Sequence, residues 1–150
     1  MKPTLVILTA VAIVAAGFAA AAPAANDKEP LPGFHSPTGN IRCLYVAGRP
    51  SRLLCSIRRA YYAKQLQARC LGPTGAGVDW HGFSLAPRTR GMVLCSGGIL
   101  YSGRPSYVNL PYGKSWRQGP FTCFSRIAGV TCRNRTGHGL FVSRSAWRIW

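Results

Sequence analysis

The chain is short of acidic residues. It has 19 Lys or Arg and 3 Asp or Glu among 150 residues, and Asp27 and Glu29 account for two of the acids. From Leu31 to Trp150 the one carboxylate side chain is Asp79, against seventeen basic residues. Glycoside hydrolysis by paired carboxylates needs two such groups, and calcium sites and two-metal phosphotransfer sites need several. The composition therefore excludes these classes of site.

Motifs for metals and phosphates are also missing. No two cysteines are separated by only two to four residues, and no histidine lies at ligand spacing from another, so a zinc site is not predicted. A G-x-x-x-x-G-K-[ST] phosphate loop does not occur, and the glycine pair at 97–98 is better interpreted as a turn. We expect neither a metal nor a cofactor.

The N-terminus has the order of features that is typical of a secretory signal peptide. After a short positive start, Leu5 to Phe18 is almost wholly apolar, and small residues follow from Ala19 to Ala25. The apolar run is short for a membrane-spanning helix, which needs about 20 residues. We predict a signal peptide over residues 1–22, cleaved after Ala22 or Ala25, with an uncleaved membrane anchor as the alternative. The mature protein is then exported, secreted or periplasmic, without an integral membrane segment.

All six cysteines lie after this segment. An even number of cysteines in a short exported chain predicts a disulfide framework. Cys123 and Cys132 fit a hairpin that turns at Ile127-Ala128, with Gly129 next at positive φ. Directly opposed strand residues lie about 4.5–5.5 Å apart at Cα, which a disulfide can bridge.

The remaining cysteines extend the same scheme. Cys43 and Cys55 fit a second hairpin, with its turn at residues 48–51. Cys70 and Cys95 are then left to pair with each other. Because six cysteines allow many other connectivities, this pairing is a preference and not a deduction.

The rest of the chain indicates an all-β domain. Glycine and proline recur every few residues and divide the sequence into short apolar segments. We predict one small domain of β-hairpins, sandwich- or barrel-like, over residues 33–150, after a flexible lead-in at 23–32. Residues 58–69 contain no Gly, Pro or β-branched residue and predict one short helix. Strand candidates outside the two hairpins are Val78–Leu85, Met92–Cys95, Tyr107–Leu110 and Leu140–Trp150.

The last strand candidate has a regular alternation of side chains. Residues two apart on a strand share a face of the sheet. A single strand over 140–150 therefore places three apolar residues on one face (Phe141, Trp147 and Ile149) and two basic residues on the other (Arg144 and Arg148).

Two parts of the chain resemble a known family. The first is Phe34 to Cys43, with the sequence FHSPTGNIRC. The second runs from Leu110-Pro111-Tyr112-Gly113 through Trp116, FTC at 121–123 and GVTC at 129–132 to TGHGL at 136–140 and Ser143-Arg144. Together they resemble a family of small bacterial exported proteins that is catalogued only as a domain of unknown function. The resemblance covers most of the mature chain except residues 61–106. It implies export and a compact disulfide-bonded domain, and it supplies no catalytic residues.

The clearest functional feature is a group of basic residues interleaved with aromatic ones near the C-terminus. Arginine binds phosphate and carboxylate in a two-pronged manner, and aromatic rings offer stacking faces. An exported protein mostly meets envelope polymers, anionic lipid head groups and acidic polysaccharide, so we predict anion binding, with nucleic acid as a weaker alternative. The opposing interpretation is that the arginines reflect composition and the aromatic residues are core. The predicted residues are Lys114, Arg117, Arg126, Arg133, Arg135, Arg144 and Arg148, with Trp116 and Trp147.

Two enzyme constellations remain. Asp79 and His81 permit a Ser–His–Asp arrangement, but no serine lies in a nucleophile-elbow context, and we expect Asp79 to pair with an arginine instead. A metal-independent ribonuclease-like mechanism needs two histidines and cations on the phosphate. Of the three histidines, His138 is its best candidate, because it lies between two glycines and near several arginines. A tight turn whose imidazole bonds to the backbone is the alternative for His138.

We therefore predict an exported, cationic monomer without catalytic residues or cofactors, which binds anionic cell-envelope material. The first alternative is a small RNA hydrolase or toxin that uses His138. The second is a protein-partner or inhibitor module that makes contact through its exposed hairpins.

Overall fold

The computed structural model describes residues 30–150. The predicted signal peptide and residues 23–29 of the predicted lead-in lie outside this part of the chain. Within it the chain forms eleven strands and one helix, so the all-β prediction with one short helix is confirmed. No helix between residues 30 and 150 is long and apolar enough to cross a bilayer.

The strands are short, as the frequent glycine and proline residues predict. The first begins at Leu31, two residues before the expected start of the domain, because Leu31 pairs with Pro105 and donates its N–H to the carbonyl of Arg104 at 2.8 Å. The elements are β1 (Leu31–His35), β2 (Ile41–Val46), β3 (Arg52–Ile57), α1 (Ala63–Leu71), β4 (Asp79–Leu85), β5 (Met92–Ser96), β6 (Pro105–Asn109), β7 (Ser115–Gln118), β8 (Phe121–Arg126), β9 (Gly129–Arg133), β10 (Gly139–Val142) and β11 (Trp147–Ile149).

Two sheets form the two layers of a sandwich. Sheet A has the strand order β5-β4-β3-β2-β1-β6 and is antiparallel except for the parallel pair β1–β6. Sheet B has the order β11-β10-β9-β8-β7, in which each strand pairs with its neighbour in sequence. Sheet B is thus a simple meander, and its outer face is built entirely from the last third of the chain.

The core between the sheets is organised around two rows of residues in register. In sheet A the row is Phe34, Cys43, Cys55 and Phe83. In sheet B it is Trp116, Cys123, Cys132 and Leu140. The two rows meet, since the sulfur atoms of Cys43, Cys55 and Cys132 all lie within 4.8 Å of one another. The rings of Phe34 and Trp116 make a further contact, with their centroids 5.1 Å apart.

All three predicted disulfide pairings are confirmed. The bonds Cys43–Cys55 and Cys123–Cys132 join directly opposed residues of two hairpins, and these four side chains are 0–1% exposed. The hairpin that contains Cys123 and Cys132 turns at residues 127–128 as predicted, and Gly129 follows with a φ of +144°. No cysteine within residues 30–150 is free.

The helix begins later than its sequence predicts. It covers Ala63–Leu71 instead of 58–69, because the backbone N–H groups before it make tertiary hydrogen bonds. Arg58 donates to the carbonyl of Asn40 (2.9 Å), and Arg59 donates to the Asn40 side chain (3.0 Å). Leu66 and Cys70 form the buried side of the helix, and the Cys70–Cys95 bond joins it to β5.

The prediction of a single strand over 140–150 is wrong, because the chain reverses direction after residue 142 and forms two strands, β10 and β11. The turn between them has no glycine or proline. It is stabilised by the hydroxyl of Ser143, which accepts hydrogen bonds from the N–H groups of Ser145 (3.3 Å) and Ala146 (3.0 Å). As a result Phe141 pairs with Arg148 on the outer face, whereas Trp147 and Ile149 face the core.

A buried amide links the two sheets. The side-chain NH₂ of Asn134, in the β9–β10 turn, donates to the carbonyls of Ala86 (2.8 Å) and Thr89 (2.9 Å) in the β4–β5 loop. Its carbonyl oxygen accepts both the backbone N–H and the hydroxyl of Thr136. Asn134 therefore holds the β4–β5 loop of sheet A against sheet B.

We predict that a mild reductant opens the Cys70–Cys95 bond first. Cys95 is exposed, whereas the other two bonds are enclosed in the core, and thiol–disulfide exchange requires access to sulfur. Alkylation and peptide mapping during limited reduction should label Cys70 and Cys95 well before the rest. In denaturant all six cysteines should be labelled at similar rates. Early labelling of Cys123 without denaturant would contradict the prediction.

Replacement of Asn134 should destabilise the fold. Asn134→Ala leaves two carbonyls without their donor, which costs about 1–3 kcal/mol of unfolding free energy. Asn134→Asp keeps the acceptor for Thr136 but places a carboxylate against both carbonyls, so it should cost at least as much. Urea unfolding measures both variants, and a wild-type midpoint for Asn134→Asp would show that the amide donor is unimportant.

Candidate anion-binding surface

The seven predicted cations are all exposed, but they do not form a single patch. Four lie on the outer face of sheet B, and three lie in the turns that connect its strands. The four on the face are Arg117, Arg126, Arg133 and Arg148, and the three in turns are Lys114, Arg135 and Arg144.

Aromatic rings alternate with the arginines on that outer face. Arg126 lies over Phe124, with its guanidinium carbon 4.9 Å from the ring centroid, and Arg148 lies over Phe141 at 5.9 Å. Such contacts orient a guanidinium without neutralising its charge. We call this set the arginine–aromatic face; its residues are Arg117, Arg126, Arg133, Arg148, Phe124, Phe141 and Trp150.

Trp150 is held firmly at one edge of the face. Its backbone pairs with Gly139 through two hydrogen bonds of 3.0 and 3.1 Å, and its indole N–H donates to the carbonyl of Gly137 at 2.9 Å. The ring lies directly over Gly139, where a Cβ would approach it to 2.7 Å. Arg133 lies over the same ring at 5.9 Å.

A groove of about 750 Å³ continues this face around the edge of sheet B. Arg69 of α1 and Arg90 of the β4–β5 loop extend it onto the other layer. Neither residue was predicted from the sequence, because only the tertiary fold brings them beside β11. We call it the edge groove; its lining is Arg69, Arg90, Thr131, Arg133, Phe141, Trp147, Arg148, Ile149 and Trp150.

The two predicted tryptophans serve mainly the core. Trp116 packs on Phe34, and Trp147 packs on Phe83 with ring centroids 5.4 Å apart. Trp147 is half-buried and also forms part of the edge groove. Trp116 lies on the inner side of β7 and is not part of the arginine–aromatic face.

A second concavity of about 540 Å³ lies at one end of the sandwich, where turns of both sheets meet. Two of its arginines, Arg126 and Arg144, belong to the predicted set, and Arg58 and Arg59 do not. We call it the end cleft; its polar and aromatic lining is Ser36, Thr38, Asn40, Arg58, Arg59, Tyr112, Arg126, Ser143, Arg144 and Ser145, and its apolar lining includes Ile127 and Val130.

The turn that carries Arg144 is anchored by two tyrosines. The hydroxyl of buried Tyr62 donates to the carbonyl of Ser143 at 2.8 Å, and the N–H of Tyr61 donates to the carbonyl of Arg144 at 2.9 Å. The Arg144 guanidinium lies over the Tyr61 ring at 5.0 Å. Burial raises the pKa of the Tyr62 hydroxyl to about 12.

The three histidines lie on separate elements, His35 in β1, His81 in β4 and His138 between β9 and β10. His138 lies in the β9–β10 turn, and neither it nor any other histidine lines the end cleft or the edge groove. The ring of His35 bonds to the carbonyl of Ser36, and that of His81 bonds to the carbonyl of Ser96, each at 2.9 Å. No observation within residues 30–150 supports a catalytic pair that includes His138.

Asp79 has a different partner from the one expected. Its carboxylate accepts a hydrogen bond from the side-chain NH₂ of Gln67 at 3.1 Å, and not from an arginine. The ring of His81 bonds through Nε2 to the carbonyl of Ser96.

Metal-ligating groups come together at one place in residues 30–150. The group consists of Cys43, Cys55 and Cys132, and all three sulfurs are already in disulfide bonds. As oxidised sulfurs they are not metal ligands. Three disulfides are typical of an oxidising, extracellular compartment.

Comparison with known protein families gives a match over most of the chain. A family model described as a family of unknown function (DUF6636) matches residues 10–150. No curated protein and no solved structure matches the chain. The match confirms the resemblance to a family of unknown function.

Tyr62 should make the fold sensitive to alkali. Since the folded protein keeps the phenolic proton up to about pH 12 and the unfolded chain loses it near pH 10, the unfolding free energy falls as the pH rises through that range. Tyr62→Phe should make this decline shallower, at a cost of about 1 kcal/mol at neutral pH. Urea unfolding at several pH values measures the dependence of the unfolding free energy on pH. Tyr61→Phe is the control, because Tyr61 is exposed. If Tyr62→Phe kept the pH dependence of the wild type, Tyr62 would not be its cause.

Proposed function

The chain belongs to DUF6636, a family of unknown function, and we propose that it is a non-enzymatic binding module for anionic polymers of the cell envelope. The polymer lies along the edge groove and the arginine–aromatic face. The observation that carries this proposal is the groove itself, which combines four arginines with three aromatic rings.

The chemistry of the groove favours anionic groups. Each guanidinium offers a planar fork of donors that matches phosphate or carboxylate in a bidentate geometry. No Asp or Glu is among the described residues that line the groove. No carboxylate of the lining therefore competes with a ligand for the guanidinium donors. A polyanion with repeated charged groups therefore gains several contacts along one surface.

The arginines of the groove are partly ordered before a ligand arrives. Arg133 lies over Trp150, and Arg148 lies over Phe141. Preordering a side chain lowers the entropy cost of binding. The rings also leave apolar surface on which a sugar ring or a nucleobase can stack, which makes single-stranded nucleic acid the natural competitor ligand.

The groove lacks the groups of an acid–base catalyst. Its described lining contains Arg, Thr, Trp, Phe and Ile, and no His, Cys, Asp, Glu or Lys. Arginine stays protonated and does not exchange a proton near neutral pH. This supports binding over hydrolysis as the role of the surface.

The proposed location is the cell envelope or the extracellular space. Six cysteines in three disulfides fit an oxidising compartment, and the N-terminal sequence has the features of a signal peptide. In that environment the abundant polyanions are envelope polymers and not nucleic acid.

Salt titration with defined polymers tests the proposal. Binding of polyphosphate or a polyuronate should weaken linearly in log–log form as salt rises, because bound counterions are released. The double variant Arg133→Gln/Arg148→Gln should make the slope of log affinity against log salt shallower for polyphosphate. Each lost phosphate contact should change the slope by about 0.7, so the two together should change it by about 1.4.

The matched control removes the same charge elsewhere. Arg49 and Arg104 are exposed and line neither concavity, so Arg49→Gln/Arg104→Gln should bind nearly as wild type. If both double variants lost the same affinity for the polymer, the effect would be one of net charge alone, which would contradict binding at the edge groove. Salt-independent binding, or a single-stranded oligonucleotide bound more tightly than either polymer, would also count against it.

A further inference from the structure

We infer that the end cleft is a second, separate site, which binds one phosphomonoester or inorganic phosphate. It shares Arg126 with the arginine–aromatic face, but its other arginines lie outside the edge groove. The inference does not depend on the polymer-binding proposal.

The cleft is built from five chain segments that the fold brings to one end. These are the β1–β2 turn, the segment after β3, the β6–β7 turn, the tip of the β8–β9 hairpin and the β10–β11 turn. Three of them contribute arginines: Arg58 and Arg59 follow β3, Arg126 ends β8, and Arg144 lies in the β10–β11 turn. Four guanidinium groups from separated parts of the sequence thus line one volume of about 540 Å³.

Asn40 fixes the backbone that carries two of these arginines. Its side-chain NH₂ donates to the carbonyl of Arg59 at 3.1 Å, and its side-chain oxygen accepts the N–H of Arg59 at 3.0 Å. The carbonyl of Asn40 accepts the N–H of Arg58 at 2.9 Å. Tyr61 and Tyr62 hold the backbone at Arg144 in the same way. The backbone of three of the four arginines is therefore fixed by tertiary hydrogen bonds.

The β1–β2 turn supplies an uncharged donor. The hydroxyl oxygens of Ser36 and Thr38 accept the N–H groups of Ile41 and Asn40. The two hydroxyls are 3.3 Å apart and share one hydrogen bond, which uses one of their two protons. The second proton has no partner in that network and is free to donate to an oxyanion in the cleft.

The charge of the cleft selects the ligand class. Its described lining has four permanent positive charges and no Asp or Glu. A carboxylate brings one charge and two oxygens, whereas a phosphomonoester brings up to two charges and three terminal oxygens. Phosphate therefore satisfies more of the guanidinium donors than a carboxylate does.

The lining of the cleft also includes two exposed hydrophobic side chains. Ile127 at the tip of the β8–β9 hairpin is 87% exposed, and Tyr112 is 41% exposed. A phosphomonoester attached to an apolar group, such as the head group of a lipid with its acyl chains, gains contact with these two side chains. A free phosphate gains only the polar contacts.

Calorimetry at constant ionic strength tests the site with inorganic phosphate, glycerol 3-phosphate, sulfate and acetate. We expect both phosphates to bind, and acetate to bind at least about tenfold more weakly. The affinity for glycerol 3-phosphate should rise between about pH 5 and 7.5, since the second ionisation of a phosphomonoester lies near pH 6. Sulfate stays a dianion throughout, so its affinity should be flat and serves as the internal control. No phosphate binding by the folded protein, or equal binding of acetate, would overturn the inference.

Variants separate this site from the edge groove. Arg59→Gln and Arg144→Gln should each weaken phosphate binding about tenfold or more, as expected for loss of a charge-assisted hydrogen bond. Arg133→Gln/Arg148→Gln should bind phosphate as wild type, and near-UV circular dichroism checks that every variant is folded. Equal losses from the groove variant would overturn the inference, whether or not polymer binding survives.

Vesicles distinguish the two sources of phosphate. If the ligand is a lipid head group, vesicles with phosphatidic acid should retain the protein better than vesicles of equal charge with phosphatidylglycerol, a phosphodiester, and Ile127→Ser should weaken retention on both. If the ligand is soluble, calorimetry should show phosphate binding with no preference between the vesicles. Both results support the site, whereas tighter retention on phosphatidylglycerol would contradict a phosphomonoester ligand.

Discussion

The contact between two buried disulfides organises this protein. Each bond joins directly opposed residues of one hairpin, and the two bonds meet in the core between the sheets. A one-residue slip of a strand moves every side chain to the opposite face of its sheet, so a covalent bond between opposed residues fixes which face looks outward. The inner row of cysteines in sheet B thereby determines that Phe124, Arg133 and Phe141 point to solvent. The proposed binding face depends on a covalent link on the opposite side of the same strands.

Aromatic rings take the place that carboxylates have in most proteins. With one acid among residues 31–150, the arginines cannot be positioned by many ion pairs. Five of them lie over rings instead: Arg42 over Tyr107, Arg126 over Phe124, Arg133 over Trp150, Arg144 over Tyr61 and Arg148 over Phe141. A ring quadrupole attracts a guanidinium but carries no net charge. The surface can therefore be ordered and remain strongly positive, a combination that salt bridges would not allow.

The sequence predicts best what depends on short separations along the chain. Both hairpin disulfides follow from cysteines 9 and 12 residues apart with a turn between them, and the third follows once those two are paired. The reversal at Ser143 was missed because a serine hydroxyl, and not a glycine or proline, makes that turn. Arg58, Arg59, Arg69 and Arg90 were missed for a different reason. Nothing in their local sequence sets them apart, and they reach the two concavities only through the pairing of distant strands and the packing of the helix.

The end cleft has a thermodynamic consequence that follows from its construction. Its lining comes from turns of both sheets, so neither a single hairpin nor either sheet alone contains the whole of it. A ligand that recognises the complete cleft binds the closed sandwich and not the unfolded chain. By mass action such a ligand adds about 2.7 kcal/mol to the unfolding free energy at one hundred times its dissociation constant. Occupancy of the cleft is thus linked to closure of the two layers, which makes the thermal midpoint of the protein a reporter of the ligand concentration around it.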